Sequence, residues 1–146
     1  MADASVPNTF GVLIVEDAPV QRMAAASALR DAGLRVVEAS TIDEATTALD
    51  ADPDVRIMVT DIDLVGEPLT GLTLAKAVAA RWPEISLLIV SGVAVPEPEA
   101  MPQGARFLRK PFEAETLVNA VRELVVKRAA GALEPSATEI SEQSSP

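Results

Sequence analysis

The chain contains no cysteine and no histidine. Without cysteine there are no disulfides and no thiolate chemistry. Without histidine there is no His-based triad, no imidazole metal ligand and no phosphohistidine of the chain's own. Any phosphorus chemistry must therefore run on carboxylates. Aromatic residues are scarce at 3%, and no glycine-rich phosphate loop follows the first apolar run, which leaves little with which to bind a flavin. Basic charge is also short: 12 Lys and Arg stand against 22 Asp and Glu, for a net charge of −10. Such a surface repels a phosphate backbone, so nucleic acid is not an expected partner, while cations and basic protein surfaces are. No apolar stretch approaches the roughly 18 residues of a membrane span, and the first ten residues have no basic segment leading into an apolar one. No membrane insertion is expected, and the expected location is the cytoplasm.

What is present is the material of one core. At 146 residues the chain suits a single compact unit with little room for a separate output domain. Five short apolar runs recur: Val12 to Val15, Arg35 to Val37, Ile57 to Val59, Leu87 to Val90, and Phe107 to Leu108. Continuous rather than alternating apolarity suits strands buried on both faces of a parallel sheet. Four amphipathic stretches lie between and after them. Ala18 to Ala32 carries Pro19 for a first turn and Gly33 for a stop; Thr41 to Asp50 has Ser40 or Thr41 as an N-cap; Gly71 to Trp82 ends at Pro83; Glu113 to Arg128 opens acidic and closes basic. Strand and helix in alternation predict an α/β, doubly wound, five-stranded parallel sheet of order 2-1-3-4-5, flavodoxin-like. One segment breaks the pattern. Val95 to Gln103 holds Pro96, Pro98 and Pro102, so a fourth helix there should be short or irregular. Residues 1–10 read as an N-terminal extension, 11–128 as the folded domain, and 129–146, acidic and serine-rich, as a disordered tail.

In an open parallel sheet, ligands bind beyond the carboxyl ends of the strands where the strand order reverses. The strand ends present Glu16 and Asp17, Asp61, Ser91 and Lys110. The predicted order brings Glu16, Asp17 and Asp61 into one pocket. Two unit charges ~4 Å apart repel by about 4 kcal/mol at an effective dielectric near 20, so the cluster calls for a cation. Mg²⁺ prefers oxygen ligands and commonly binds through one or two carboxylates plus a phosphate oxygen. Asp61 is then a candidate nucleophile toward phosphorus, Ser91 a hydroxyl donor to a phosphoryl oxygen, and Lys110 a point charge on another.

Four motifs carry a resemblance: Val-Glu-Asp at 15 to 17, Thr-Asp-Ile-Asp at 60 to 63, Val-Ser-Gly at 90 to 92, and Lys-Pro-Phe at 110 to 112. Singly they are weak, but in this order, each after an apolar run, the chain from about Gly11 to Arg128 resembles the receiver domain of two-component response regulators, of the stand-alone type. The resemblance implies that Asp61 accepts a phosphoryl group from a sensor histidine kinase or a histidine phosphotransfer protein. It further implies that Glu16, Asp17, Asp61 and the backbone carbonyl of Asp63 hold Mg²⁺ or Mn²⁺. Ser91 and Lys110 would read the phosphate, and Phe107 would be the switch aromatic. The bond before Pro111 would be cis. Such a module is no enzyme beyond phosphorylating and dephosphorylating itself, and signals to a downstream protein by contact.

The chain departs from the family pattern at three places. Ser91 keeps the hydroxyl of the threonine often found there; Phe107 lacks a phenolic hydroxyl and must switch by packing; the proline-rich segment falls on the surface that usually docks partners. Order in that segment is expected to depend on phosphorylation, and Asp63 to influence the phosphate lifetime. Plainer roles exist for each residue. Glu16 and Asp17 suit a helix start, Ser91-Gly92 a turn, Lys110 the surface, and Phe107 the core. Two other functions use the same residues: a Mg²⁺-dependent phosphatase with an aspartate nucleophile, and a non-phosphorylated interaction scaffold.

Overall fold

A computed structural model describes residues 10–64, 70–92 and 96–130. Its strands are β1 (Gly11–Val15), β2 (Arg35–Ala39), β3 (Val55–Asp61), β4 (Ser86–Ser91) and β5 (Arg106–Arg109). Its helices are α1 (Pro19–Asp31), α2 (Ile42–Ala51), α3 (Thr70–Arg81) and α4 (Ala114–Ala130). The five strands form one sheet in the order β2-β1-β3-β4-β5, and every neighbouring pair is parallel. This is the expected doubly wound α/β, flavodoxin-like architecture.

The continuous apolarity of the strands has the predicted cause. Successive side chains point to opposite faces, and each face carries its own core. Leu13, Val15, Met58 and Ile89 face α2 and α3, packing with Ala45, Leu49, Leu74 and Val78. Val12, Ile14, Ile57, Val59 and Leu88 face α1 and α4, packing with Ala26, Leu29, Leu117, Val121 and Leu124. Full burial of such aliphatic side chains contributes about 1.5–3 kcal/mol each, so the sheet is fixed from both sides.

The helix ends follow their local chemistry. In α1, Leu34 N–H donates to Leu29 O at 3.0 Å and Gly33 N–H to Arg30 O at 2.9 Å, with Gly33 at φ 93°. Only glycine takes that conformation without strain, which is why α1 stops there. Of the two N-cap candidates for α2, Thr41 holds the position, its Oγ1 accepting from Glu44 N–H at 3.0 Å. The side chain of Glu44 reaches back to Ser40 N–H at 2.7 Å. The proline-rich segment forms a single 3₁₀ turn, Pro98–Ala100, where the sequence predicted a short or irregular fourth helix; Val95 itself lies outside the described residues. The last helix continues to Ala130, so Ala129 and Ala130, read as the start of a disordered tail, are helical instead. The remainder of that tail and residues 1–9 lie outside the described residues.

Candidate functional site

Register alone brings the strand ends together. Val15 pairs with Thr60, Asp61 with Val90, and Ser91 with Arg109. Ladder-like bonds extend the frame one residue beyond the strands: Glu16 N–H donates to Ala39 O at 3.0 Å, Ile62 N–H to Val90 O at 2.9 Å, and Lys110 N–H to Ser91 O at 2.9 Å. Glu16, Asp61, Ser91 and Lys110 are thereby fixed along one rim by backbone bonding.

The carboxylates of Glu16, Asp17 and Asp61 each bring an oxygen within 4.8 Å of the others. Glu16 is buried, while Asp17 and Asp61 are half-buried. Lys110 Nζ reaches into this group, at 3.0 Å from Glu16 Oε1 and 3.5 Å from Asp61 Oδ2. Three carboxylates against one ammonium leave a formal excess of negative charge, which suits a hard divalent cation among these oxygens. Burial pushes the Asp61 carboxyl above its usual range, the Lys110 charge opposes that shift, and the Glu16 charge adds to it. Asp61 Oδ1 accepts from Ile62 N–H at 2.9 Å.

Ser91 is 2% exposed, at the end of β4 beside Asp61. Asp63 is half-buried between β3 and α3, and its carboxylate is not among the three clustered ones. Phe107 sits on β5 opposite Ile89, half-buried against the α2–α3 core. The Lys110–Pro111 peptide is cis.

Four residues that sequence reasoning did not single out complete the surroundings. Gln21, in the first turn of α1, accepts from Lys110 Nζ at 2.7 Å. Arg22 donates to the Glu16 carbonyl at 3.0 Å and pairs with Glu38 of β2 at 3.3 Å. Thr70 Oγ1 accepts from Leu64 N–H at 2.6 Å and donates to Leu64 O at 3.1 Å, tying α3 to the segment after Asp61. Gly71 N–H donates to Ile62 O at 2.8 Å, and a Cβ at Gly71 would fall 1.6 Å from the Asp61 carbonyl oxygen. The only signal for Gln21 and Arg22 in the sequence was their place one turn into a helix that starts beside Glu16.

A cavity of about 480 Å³ opens beside the cluster between α1 and α4. Its walls include Ala24, Ala25 and Ala28 of α1, Ile14 and Val59 of the sheet, and Leu117 of α4, with Glu16, Gln21 and Lys110 at the polar end.

A twofold likeness accompanies this geometry. Residues 12–122 match the response regulator receiver domain family. The chain belongs to that family, a family of signalling domains. Among its relatives, the NtrX-like response regulator of Rickettsia bellii is 31% identical over 125 residues, a match covering 84% of this chain and 25% of that protein. The response regulator receiver protein CpdR of Brucella abortus is 28% identical over 119 residues, covering 79% of this chain and 96% of that protein. The crystal structure of the receiver domain of NtrX from Brucella abortus superposes with a TM-score of 0.69 at 32% identity, covering 80% of this chain and 98% of that one. The chain thus spans only about a quarter of the NtrX-like relative and almost all of the CpdR protein. Among the described residues no helix is long and apolar enough to cross a membrane.

Proposed function

We propose that the domain is a phosphate-operated switch in a two-component or phosphorelay system, with Asp61 as the phosphoryl acceptor. The observation that carries this reading is the convergence of three carboxylates and the Lys110 ammonium on one rim of the sheet, with Asp61 between them. A carboxylate oxygen of Asp61 attacks phosphorus, a P–O bond forms, and the P–N bond to the imidazole of a partner's phosphohistidine breaks. Glu16, Asp17, Asp61 and the backbone carbonyl of Asp63 would hold Mg²⁺ or Mn²⁺. A bound cation neutralises charge on the phosphoryl oxygens. Lys110 neutralises a further share from the side of β5, and the Ser91 hydroxyl donates to a phosphoryl oxygen.

Phosphorylation adds about −1.5 to −2 charges and three acceptor oxygens to a half-buried site. Ser91 and Lys110 drawn toward them, and Phe107 repacking against the α2–α3 core, supply the two-state element. Moving such an equilibrium from 1:99 to 99:1 takes about 5.5 kcal/mol of differential stabilisation, within reach of a few charge-assisted bonds. The phosphorylated form then signals through protein contacts. The donor is a sensor histidine kinase or histidine phosphotransfer protein, and the proposed setting is the cytoplasm.

Incubation with Mg²⁺ and acetyl phosphate tests this directly. Intact-mass measurement should show one added phosphoryl group, which does not form when the metal is chelated beforehand and is absent from Asp61→Asn. Equal labelling of the wild type and Asp61→Asn would overturn the assignment.

A further inference from the structure

Lys110 has three N–H donors and three acceptors within reach: Gln21 Oε1 at 2.7 Å, Glu16 Oε1 at 3.0 Å and Asp61 Oδ2 at 3.5 Å. The shortest contact is to a neutral amide on α1, and the longest is to Asp61. At 3.5 Å a hydrogen bond is at the outer limit of its range and weak. The ammonium therefore rests toward α1, off the carboxylate whose phosphoryl group it would serve. Gln21 is the residue of α1 that draws it there, since Ala24 and Ala25, which line the same cavity, carry no side-chain acceptor.

We propose that Gln21 is a positioning residue that holds the Lys110 ammonium back from Asp61 in the resting domain and so weakens the site's grip on a phosphoryl group. The proposal rests on Asp61 being the acceptor. A phosphoryl group there offers three new oxygens, and the ammonium, with every donor engaged, must leave one partner to meet them. Glu16 holds Lys110 by charge as well as by a hydrogen bond. Gln21 holds it by a hydrogen bond alone, so its share can be removed without altering the charge of the cluster. Gln21 in this way raises the cost of the switched arrangement.

Gln21→Met keeps the length and the helix propensity of the side chain and deletes the acceptor. The test is a calorimetric titration with fluoroberyllate, a tetrahedral mimic of the aspartyl phosphate, at saturating Mg²⁺. It compares the wild type, Gln21→Met, Lys110→Met and the double variant. Gln21→Met should bind the mimic about threefold to tenfold more tightly, the range of a net hydrogen bond of about 1 kcal/mol. In the Lys110→Met background the gain should vanish, which a role in α1 folding alone would not produce. Unchanged or weaker binding by Gln21→Met, or the same gain without Lys110, would overturn the proposal while leaving Asp61 as acceptor. No binding by the wild type would overturn the acceptor reading and this inference with it.

Discussion

Asp61 is held in tension between burial and its neighbours. Its carboxyl is raised above the usual range, chiefly by desolvation, so the folded domain binds that proton more tightly than the unfolded chain does. Stability must then fall as pH rises from the ordinary carboxylate range through the raised value. Asp61→Asn carries no charge at any pH. Thermal melts in metal-free buffer should find it more stable than the wild type at pH 7, with the gap closing below about pH 4, where the carboxyl of the unfolded chain is protonated too. Gly71 is the second residue on which the acceptor depends. With the Asp61 carbonyl oxygen 1.6 Å from where a Cβ would lie, Gly71→Ala should cost about 2–3 kcal/mol in urea unfolding, the price of overpacking a fixed backbone. In the sequence Gly71 was legible only as a helix start. The reason for a glycine there is an approach between backbones ten residues apart, which no local pattern records.

Elements were more legible than their fastenings. Each strand contains one of the predicted apolar runs, because burial on both faces leaves few residue types acceptable, and the prolines of the 96–102 stretch marked the missing helix by removing donors. The rim residues Glu16, Asp61, Ser91 and Lys110 were found because strand order and strand ends suffice to place them. Contacts between elements were not legible, since they depend on the distance between chains rather than on spacing along one. Arg35 at the start of β2 holds Asp52 at the end of α2 by two bonds of 2.8 and 3.2 Å, and this pairing keeps the Asp52 carboxyl below its usual range. A lowered carboxyl stabilises the fold above the ordinary carboxylate range, and the benefit is lost as pH falls through the lowered value. Both side chains are partly solvated, at 38% and 25% exposure, so Asp52→Ala should cost at most about 1 kcal/mol at pH 7. Urea titrations at pH 7 and pH 3 should show that difference shrinking in acid.

At the scale of the whole molecule, the chain carries a net charge of −10, and the three clustered carboxylates add a local negative excess at the site. A cation bound there stabilises the folded state alone, by about 1.4 kcal/mol at ten times its dissociation constant. Mg²⁺ should therefore raise the melting temperature in a concentration-dependent way, and Asp17→Asn should require more Mg²⁺ for the same rise. The two hydrophobic clusters carry a further consequence. Since the sheet separates them, the domain has two compartments that share a wall and no side chains. Leu49→Ala on one side and Leu124→Ala on the other should destabilise independently, their sum matching the double variant within about 0.5 kcal/mol. Either compartment is then open to redesign without renegotiating the other. The rim of the wall, where Asp61 sits, is the place at which a message from one side can be read on both.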